Sequence, residues 1–369
     1  MSKKNKKTKE PLLHIVKRDG VPKQKAWLIR ILAVLAALIF AGIVTMLLTG
    51  ENPIQVYITM FKGCFSSERR IWSLLQSLVM LLCVSLAVTP AFKMRFWNIG
   101  AEGQVLIGAL ATTACMVLLG DKMPNGLLIP FMIISSIVAG AIWAVIPAIF
   151  KAHFNTNETL FTLMMNYVAT QIVKYFIIKW ENPKGSGQMG IINQNTHAGW
   201  FPVIADKPYL LNVVVVLLLT VFMYVYLKYS KHGYELAVVG ESENTARYIG
   251  LNVKKVILRT MLLSGAICGI AGLLLVGATN HTLTTTIAGG RGFTAIMVSW
   301  LAKFNPIYMI LTSFLLAFFE RGANEISTIF GLDQAVSDII TGIILFFIIG
   351  SEFFINYEIK FHSSKKEDK

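Results

Sequence analysis

The amino-acid sequence predicts an all-α polytopic membrane protein of about ten transmembrane helices, with eight as the lower count. Three observations carry this. Of 369 residues, 55% are hydrophobic and only 15% charged, where soluble domains carry about a quarter charged residues. The apolar residues gather into runs of about 20, the length a helix needs to cross hydrocarbon with every backbone amide paired. The basic residues collect in alternate segments between those runs, as in cytoplasmic loops.

The tail 1–26 holds nine Lys or Arg, among them Lys3, Lys4, Lys6, Lys7 and Lys9, and is read as cytoplasmic. The membrane domain is expected over 27–355. Its first span, 27–48, is too long for a signal-peptide core and is read as retained. The second, 71–90, ends at Pro90. The third, 100–120, is rich in Gly and Ala. The fourth to seventh are 127–150, 159–179, 209–228 and 259–279. A discontinuous pair, 287–302 and 306–320, divides at Lys303-Phe304-Asn305-Pro306, and the last span is 336–355. Counting the pair as two spans gives ten, with both termini cytoplasmic; a re-entrant 287–320 or a peripheral first span gives eight. Lys93 and Arg95, Lys151 and His153, and the loop 229–258 with Lys231, Arg247, Lys254 and Lys255 then lie inside. So does the tail 356–369 with Lys365 and Lys366. The outside loop 180–208 has only Lys184 and Lys207.

The formal charge of +14 is spread over these loops, which argues for a lipid bilayer and no nucleic-acid partner. Cys64, Cys83, Cys115 and Cys268 show no paired spacing. The six histidines show no metal-ligand spacing. No phosphate-binding G-x-x-x-x-G-K-[ST], G-x-S-x-G or H-E-x-x-H motif is present.

Polar residues within apolar runs are costly and mark pathways or helix contacts. Asn98-Ile99-Gly100-Ala101-Glu102-Gly103-Gln104 opens the third span. Gly100, Gln104, Gly108 and Thr112 share one helix face, which serves close packing or a solute path equally well. Asn155 and Glu158 have capping-box spacing. Asn166 and Gln171 lie deeper in the fifth span, as pathway residues or as inter-helix hydrogen-bonding groups. In the loop 229–258, Ser242 caps a short helix through Ile249 that stops at Gly250. Gly265 and Gly269 make a GxxxG pair for close helix approach. After them, Asn280, His281, Thr282, Thr284, Thr285 and Thr286 precede Gly289-Gly290-Arg291-Gly292-Phe293. Interruptions in both halves suggest two inverted structural repeats with a midplane site between them, although internal sequence similarity alone does not establish a repeat. Glu320, Arg321 and Asn324 read as a boundary ion-pair region.

Four ordered blocks over residues 27–355 carry a family resemblance. The segment Asn98–Gln104 and its Gly/Ala-rich span resemble ABC-importer permeases for branched-chain amino acids, simple sugars and nucleosides, closest to the sugar and nucleoside branch. Asn157-Glu158-Thr159-Leu160 through Met164-Met165-Asn166-Tyr167, then Gly233–Leu251, then Gly290–Pro306 are similar to the branch's later blocks. Ala237 stands where the family loop usually has Arg, and Ser242-Glu243 where it has Asn-Pro, which touches details of partner contact.

The resemblance implies a permease subunit, not an enzyme, that moves a nucleoside or simple sugar by alternating access. It implies a second permease in a heterodimer, a cytoplasmic ABC ATPase that uses ATP and Mg, and an extracellular substrate-binding protein, with no cofactor in this chain. Asn98, Gln104, Asn166, Phe293 and Trp300 are the expected path residues, the aromatics stacking on a base or sugar ring. Gly240, Glu241, Ala246, Arg247 and Gly250 are the expected coupling residues. The rival is an ion-gradient-driven secondary transporter, for which Glu102 would be the one plausible coupling carboxylate. A membrane-embedded enzyme lacks any catalytic constellation.

Overall fold

The computed structural model describes residues 13–18, 22–50, 52–207 and 209–361. The expected lysines at 3–9 and 365–366 lie outside them. The described residues form thirteen α-helices and two short strands. Eight helices are long and apolar enough to cross a membrane, the lower end of the expected range. They are α1 (Lys23–Thr49), α3 (Glu68–Lys93), α4 (Ala101–Leu119), α5 (Asn125–Phe154), α6 (Glu158–Lys179), α7 (Leu210–Tyr229), α10 (Val253–Leu274, continued by a π-helical turn, Leu275–Asn280) and α13 (Gln334–Asn356). The others are α2 (Pro53–Phe65), α8 (Lys231–Glu241), α9 (Glu243–Tyr248), α11 (Arg291–Leu301) and α12 (Pro306–Ile329).

Four details differ from the sequence reading. The segment expected to end at 320 runs on as α12 to Ile329, so Glu320, Arg321 and Asn324 lie inside a helix and not at a boundary. Helix α3 continues through Pro90 to Lys93; the ring removes one N–H donor to the carbonyl four residues back, and neighbouring groups in membrane bundles re-satisfy freed backbone. The segment 287–302 is not a full helical span: α11 has eleven residues, about 16 Å at 1.5 Å per residue, roughly half a 30 Å hydrocarbon core. The cap of α6 is Asn157, whose side chain accepts the Leu160 N–H. Asn155 instead ends α5 in the left-handed conformation, φ 52°, and Glu158 pairs with Lys151 at 2.9 Å.

The chain divides into two compact units, residues 62–321 and the flanking 1–61 with 322–369. In the flanking unit α1 packs on α13. Arg30 reaches Glu352 at 2.5 Å, and Phe40 meets Phe347 at 5.9 Å. Strands β1 (Leu13–Lys17) and β2 (Tyr357–Phe361) pair antiparallel, Lys17 opposite Tyr357. This ribbon lies within the segments read as tails, and it places both described ends on one side. Asn324 Oδ1 accepts from Ser337 Oγ at 2.9 Å.

In the larger unit α10 is central and packs on α3, α4 and α5. Small residues set the spacing. A Cβ on Gly265 would overlap the Gly140 carbonyl, and one on Gly269 the Ser136 carbonyl, both on α5. Across the other face, a Cβ on Gly108 of α4 would lie 2.6 Å from Gly269 Cα. Glycines let helices meet backbone to backbone in a medium where apolar burial drives no association. The GxxxG expectation is therefore met, and Gly108 of the Gly100–Thr112 stripe serves packing.

Candidate functional site at the centre of the bundle

The first sequence interruption lies halfway along the central helix, and the Gly290–Gly292 end of the second reaches it through Glu102. Asn98 Nδ2 donates to Ser264 Oγ at 3.1 Å, and Gly108 packs on Gly269. Both levels are near the middle of the 28-residue helix Val253–Asn280. Helix α4 thus begins deep in the bundle, after the irregular segment from Arg95 to Gly100.

Asn98, Gln104 and Asn166 are buried here. Asn98 Oδ1 accepts from the Gly100 N–H and from Gln104 Nε2, both at 3.1 Å. Asn166 accepts the Gly103 N–H at 2.8 Å and donates to the Ile99 carbonyl at 2.9 Å. These amides satisfy backbone groups that the irregular start of α4 leaves open, which low-dielectric surroundings require. Gln104 Oε1 is buried with no protein partner, so it retains an open acceptor. Gln171, by contrast, lies on the exposed outer side of α6, beside Tyr167 and Tyr175.

Glu102 joins this cluster to the second interruption. Its Oε1 accepts the Gly290 N–H and its Oε2 the Gly292 N–H, each at 2.8 Å. These are the cap and second residue of α11, so a carboxylate occupies the positive end of that half-helix. Gly289 and Gly290 have φ of 63° and 70°, which only glycine adopts without strain. The other end of α11 is held by Ser299, whose Oγ lies 3.0 Å from Thr89 Oγ1 and 3.1 Å from the Ser85 carbonyl.

The free side of α11 is aromatic. Phe293 and Trp300 are 43% and 50% exposed, seven residues apart and hence on one face. Trp300 lies 5.8 Å from Trp97 and from Phe304. The expected path residues thus separate into a buried amide cluster and an exposed aromatic face, joined through Glu102.

Two clusters lie beyond the sequence reading. Gln76 Nε2 donates to Thr279 Oγ1 at 2.6 Å, and Asn212 Nδ2 to Gln76 Oε1 at 2.8 Å. This ties α3, α7 and the π-helical turn together. The three residues are scattered over 203 positions, and only their polarity inside apolar runs could have flagged them. Next to it, the 180–208 loop closes over the end of α10. Ile192 N–H donates to the His281 carbonyl at 2.8 Å, Phe201 N–H to the Gly277 carbonyl at 3.0 Å, and the Trp200 and His281 rings stack at 3.7 Å. Burial, with His197 nearby, pushes the His281 imidazole down from its usual range.

At the other end of α3 and α7, the segment 229–258 carries the expected short helix, preceded by α8, while its last six residues already belong to α10. Ser242 accepts the Thr245 N–H and caps α9, and Gly250 turns the chain at φ 84°. Gly240 is seated on the Lys93 carbonyl, where a Cβ would overlap. Ala246 is fully buried. Arg247 pairs with Glu243 of its own helix at 3.3 Å, and Glu241 is exposed. Glu235 accepts from Arg259 of α10 at 2.7 Å. Tyr248, 92% exposed, and Ile249, 52% exposed, project from α9 and escaped the motif-based reading.

The family described as the permease component of branched-chain amino acid transport systems matches residues 70–349. The chain belongs to this permease family. It is 30% identical to a glucose ABC transporter permease protein of Haloferax volcanii, over 94% of this chain and 93% of that protein. It is also 30% identical to a guanosine ABC transporter permease protein of Bacillus subtilis, over 89% and 93%. A nucleoside ABC transporter permease protein of Lactococcus lactis subsp. cremoris is 26% identical over 86% and 90%. The permease thus groups with sugar and nucleoside ABC transporter permeases, and its bundle is that of a multi-pass membrane protein.

Proposed function

We propose that this permease forms the translocation path of an ABC importer for a nucleoside or simple sugar and works by alternating access. One observation carries the reading. The backbone at Gly289–Gly290 is irregular and exposed, and Gly290 bonds Glu102 in the first turn of α4, a helix that starts level with the middle of α10. Irregular backbone at membrane depth is tolerated where protein covers it or where it lines a water-filled cavity. A path shared with a second permease, in a heterodimer, satisfies that demand. Phe293 and Trp300 on the adjoining face suit the flat ring of a nucleobase or the apolar face of a sugar. Behind them the amide cluster is neutral, and Gln104 Oε1 is its one acceptor without a protein partner, fitting an uncharged polar solute. The relatives' names, glucose, guanosine and nucleoside, fall in the same class.

An ABC ATPase, using ATP and Mg, would dock on the surface made by α8 and α9, with Gly240, Glu241, Ala246, Arg247 and Gly250 shaping the contact. Basic loops and the paired ends favour a cell membrane orientation with both termini cytoplasmic. An extracellular binding protein would deliver solute to the opposite face. The ion-driven alternative loses its coupling carboxylate, because both Glu102 oxygens are engaged by backbone amides.

The test is copurification from gently solubilised native membrane, followed by uptake into vesicles. An ATPase and a second permease in the complex, with ATP-dependent uptake of labelled nucleoside or sugar, support the reading. A homo-oligomer that transports without ATP overturns it.

A further inference from the structure

We propose that Glu102 is a positioning residue for transport: by accepting the N–H groups of Gly290 and Gly292, its carboxylate pins the start of half-helix α11 at mid-membrane depth and holds the Phe293–Trp300 face on the path. The transport part rests on the proposed function; the pin itself rests on geometry. Helix α11 is anchored at two places of different chemistry. Its far end packs against α3 through the Ser299 hydroxyl network, between neutral groups. Its near end hangs on a ten-residue connection from His281 to Gly290, whose last two residues have left-handed φ. Glycine confers little stiffness there.

What replaces stiffness is the carboxylate. Each Glu102 oxygen takes one amide at 2.8 Å. Bonds to an ionised acceptor are about twice as strong as neutral ones. The contact is also close sterically: a Cβ on Gly292 would lie 2.5 Å from the Glu102 backbone nitrogen. Glu102 therefore fixes both the height and the rotation of α11. Rotation matters because Phe293 and Trp300 occupy one side of that helix and Gly292, Ala295 and Ser299 the buried other side. Glu102 has no need to touch the solute; it acts through α11.

The experiment uses the assembled transporter in vesicles, with Thr286→Cys as reporter on the exposed side of the connection. The four native cysteines are buried, so a water-soluble maleimide reads the new thiol. Glu102→Gln keeps the side chain's shape, but its amide nitrogen opposes one of the two N–H donors. In Glu102→Gln, maleimide labelling of the reporter is expected to accelerate at least about fivefold as the connection opens more often. The maximal uptake rate is expected to fall at least about tenfold, with half-saturation within about twofold of wild type, because the solute's own contacts remain. Subunit composition of the purified complex should be unchanged. If Glu102→Gln is not recovered from the membrane, Glu102→Asp, which keeps the charge on a shorter stem, is measured the same way, with a smaller change of the same sign. Wild-type values of either labelling or maximal rate in the recovered variant overturn the proposal. Absence of uptake by the wild-type complex would instead count against the transport reading, and labelling would still test the pin.

Discussion

The Gly292 N–H donates to Glu102 Oε2 at 2.8 Å, joining residues 190 positions apart. This one contact brings the irregular start of α4 against the start of α11. It also makes Gly292 as constrained as Glu102. A Cβ there would meet the Glu102 nitrogen at 2.5 Å and its Cα at 3.0 Å, and backbone on a packed helix cannot move aside as a side-chain tip can. Gly292→Ala is expected to destabilise the permease by about 1–3 kcal/mol through overpacking. A lowered thermal midpoint in detergent checks it. Gly126→Ala, with no heavy atom within 4 Å of the new Cβ, is the control and should leave the midpoint within error or slightly higher.

The α5–α10 interface gives a sharper steric case. Gly269 faces the Ser136 carbonyl on one side while Gly108 of α4 packs on it from another. Gly269→Leu puts four carbons where none fits, so three helices must separate. The expected outcome is loss of folded protein from the membrane, seen as protease sensitivity and loss of the assembled complex. Normal yield and assembly would show that this packing is dispensable.

Much of the fold is legible because lipid imposes a length rule. The apolar runs beginning near Trp27, Ile71 and Tyr209 became α1, α3 and α7 within a few residues. Helix α2 escaped because it has thirteen residues, too few to stand out as a span. The half-span α11 escaped because glycine and threonine interrupt a run whose total length looks sufficient. Asn155 and Asn157 offer the same side chain two residues apart, and only the left-handed turn at Asn155 decides which one caps. The site was half legible. Polar residues in apolar surroundings flagged Asn98, Gln104 and Asn166, but the Glu102–Gly292 bond is a long-range pairing with no local signal.

Within the amide cluster, Asn166 and Gln104 should separate stability from uptake. Asn166 closes two buried backbone groups, the Gly103 N–H and the Ile99 carbonyl. Asn166→Ala leaves both unpaired, at about 1–3 kcal/mol each, so stability and uptake should fall together. Gln104 gives one bond to Asn98 and keeps Oε1 unpartnered. Gln104→Ala should lower the thermal midpoint less than Asn166→Ala does, while still reducing uptake. Thermal scans in detergent beside uptake in vesicles make the comparison. Normal uptake by both variants would remove the cluster from the path.

The loop at the other face carries a pH dependence of defined sign. The Arg259 guanidinium, hydrogen-bonded at 2.7 Å, holds the Glu235 carboxyl below its usual range against the opposing effect of burial. A carboxyl with depressed folded pKa adds stability that is present above its unfolded pKa of about 4.3. That stability is lost as pH falls through the lower folded pKa. Wild type should therefore lose this increment between about pH 5 and the folded value, and Glu235→Gln should show a flatter stability profile there. Thermal midpoints of the two proteins across this range check it. Parallel profiles would mean that Glu235 is equally easy to protonate in both states.

Tyr248 gives the last expectation. A tyrosine 92% exposed beside an isoleucine 52% exposed projects from a segment that is anchored at three points. Ser242 caps the helix beneath it, Ala246 is buried, and Gly240 rests on the Lys93 carbonyl. Arg247, the charged residue expected at the coupling surface, is already paired with Glu243. A rigid, projecting aromatic is the kind of residue that dominates interface energetics, often at 2 kcal/mol or more, roughly a 30-fold change in affinity. Tyr248→Ala should leave the isolated permease as stable as wild type, because the side chain touches little of its own chain. It should weaken capture of the ATPase about 30-fold or more. Tyr248→Phe should stay closer to wild type, since most of the contact area survives. Capture measured by titrating the ATPase against immobilised permease decides the matter. Equal affinities for all three would move the contact onto Glu241 and Arg247.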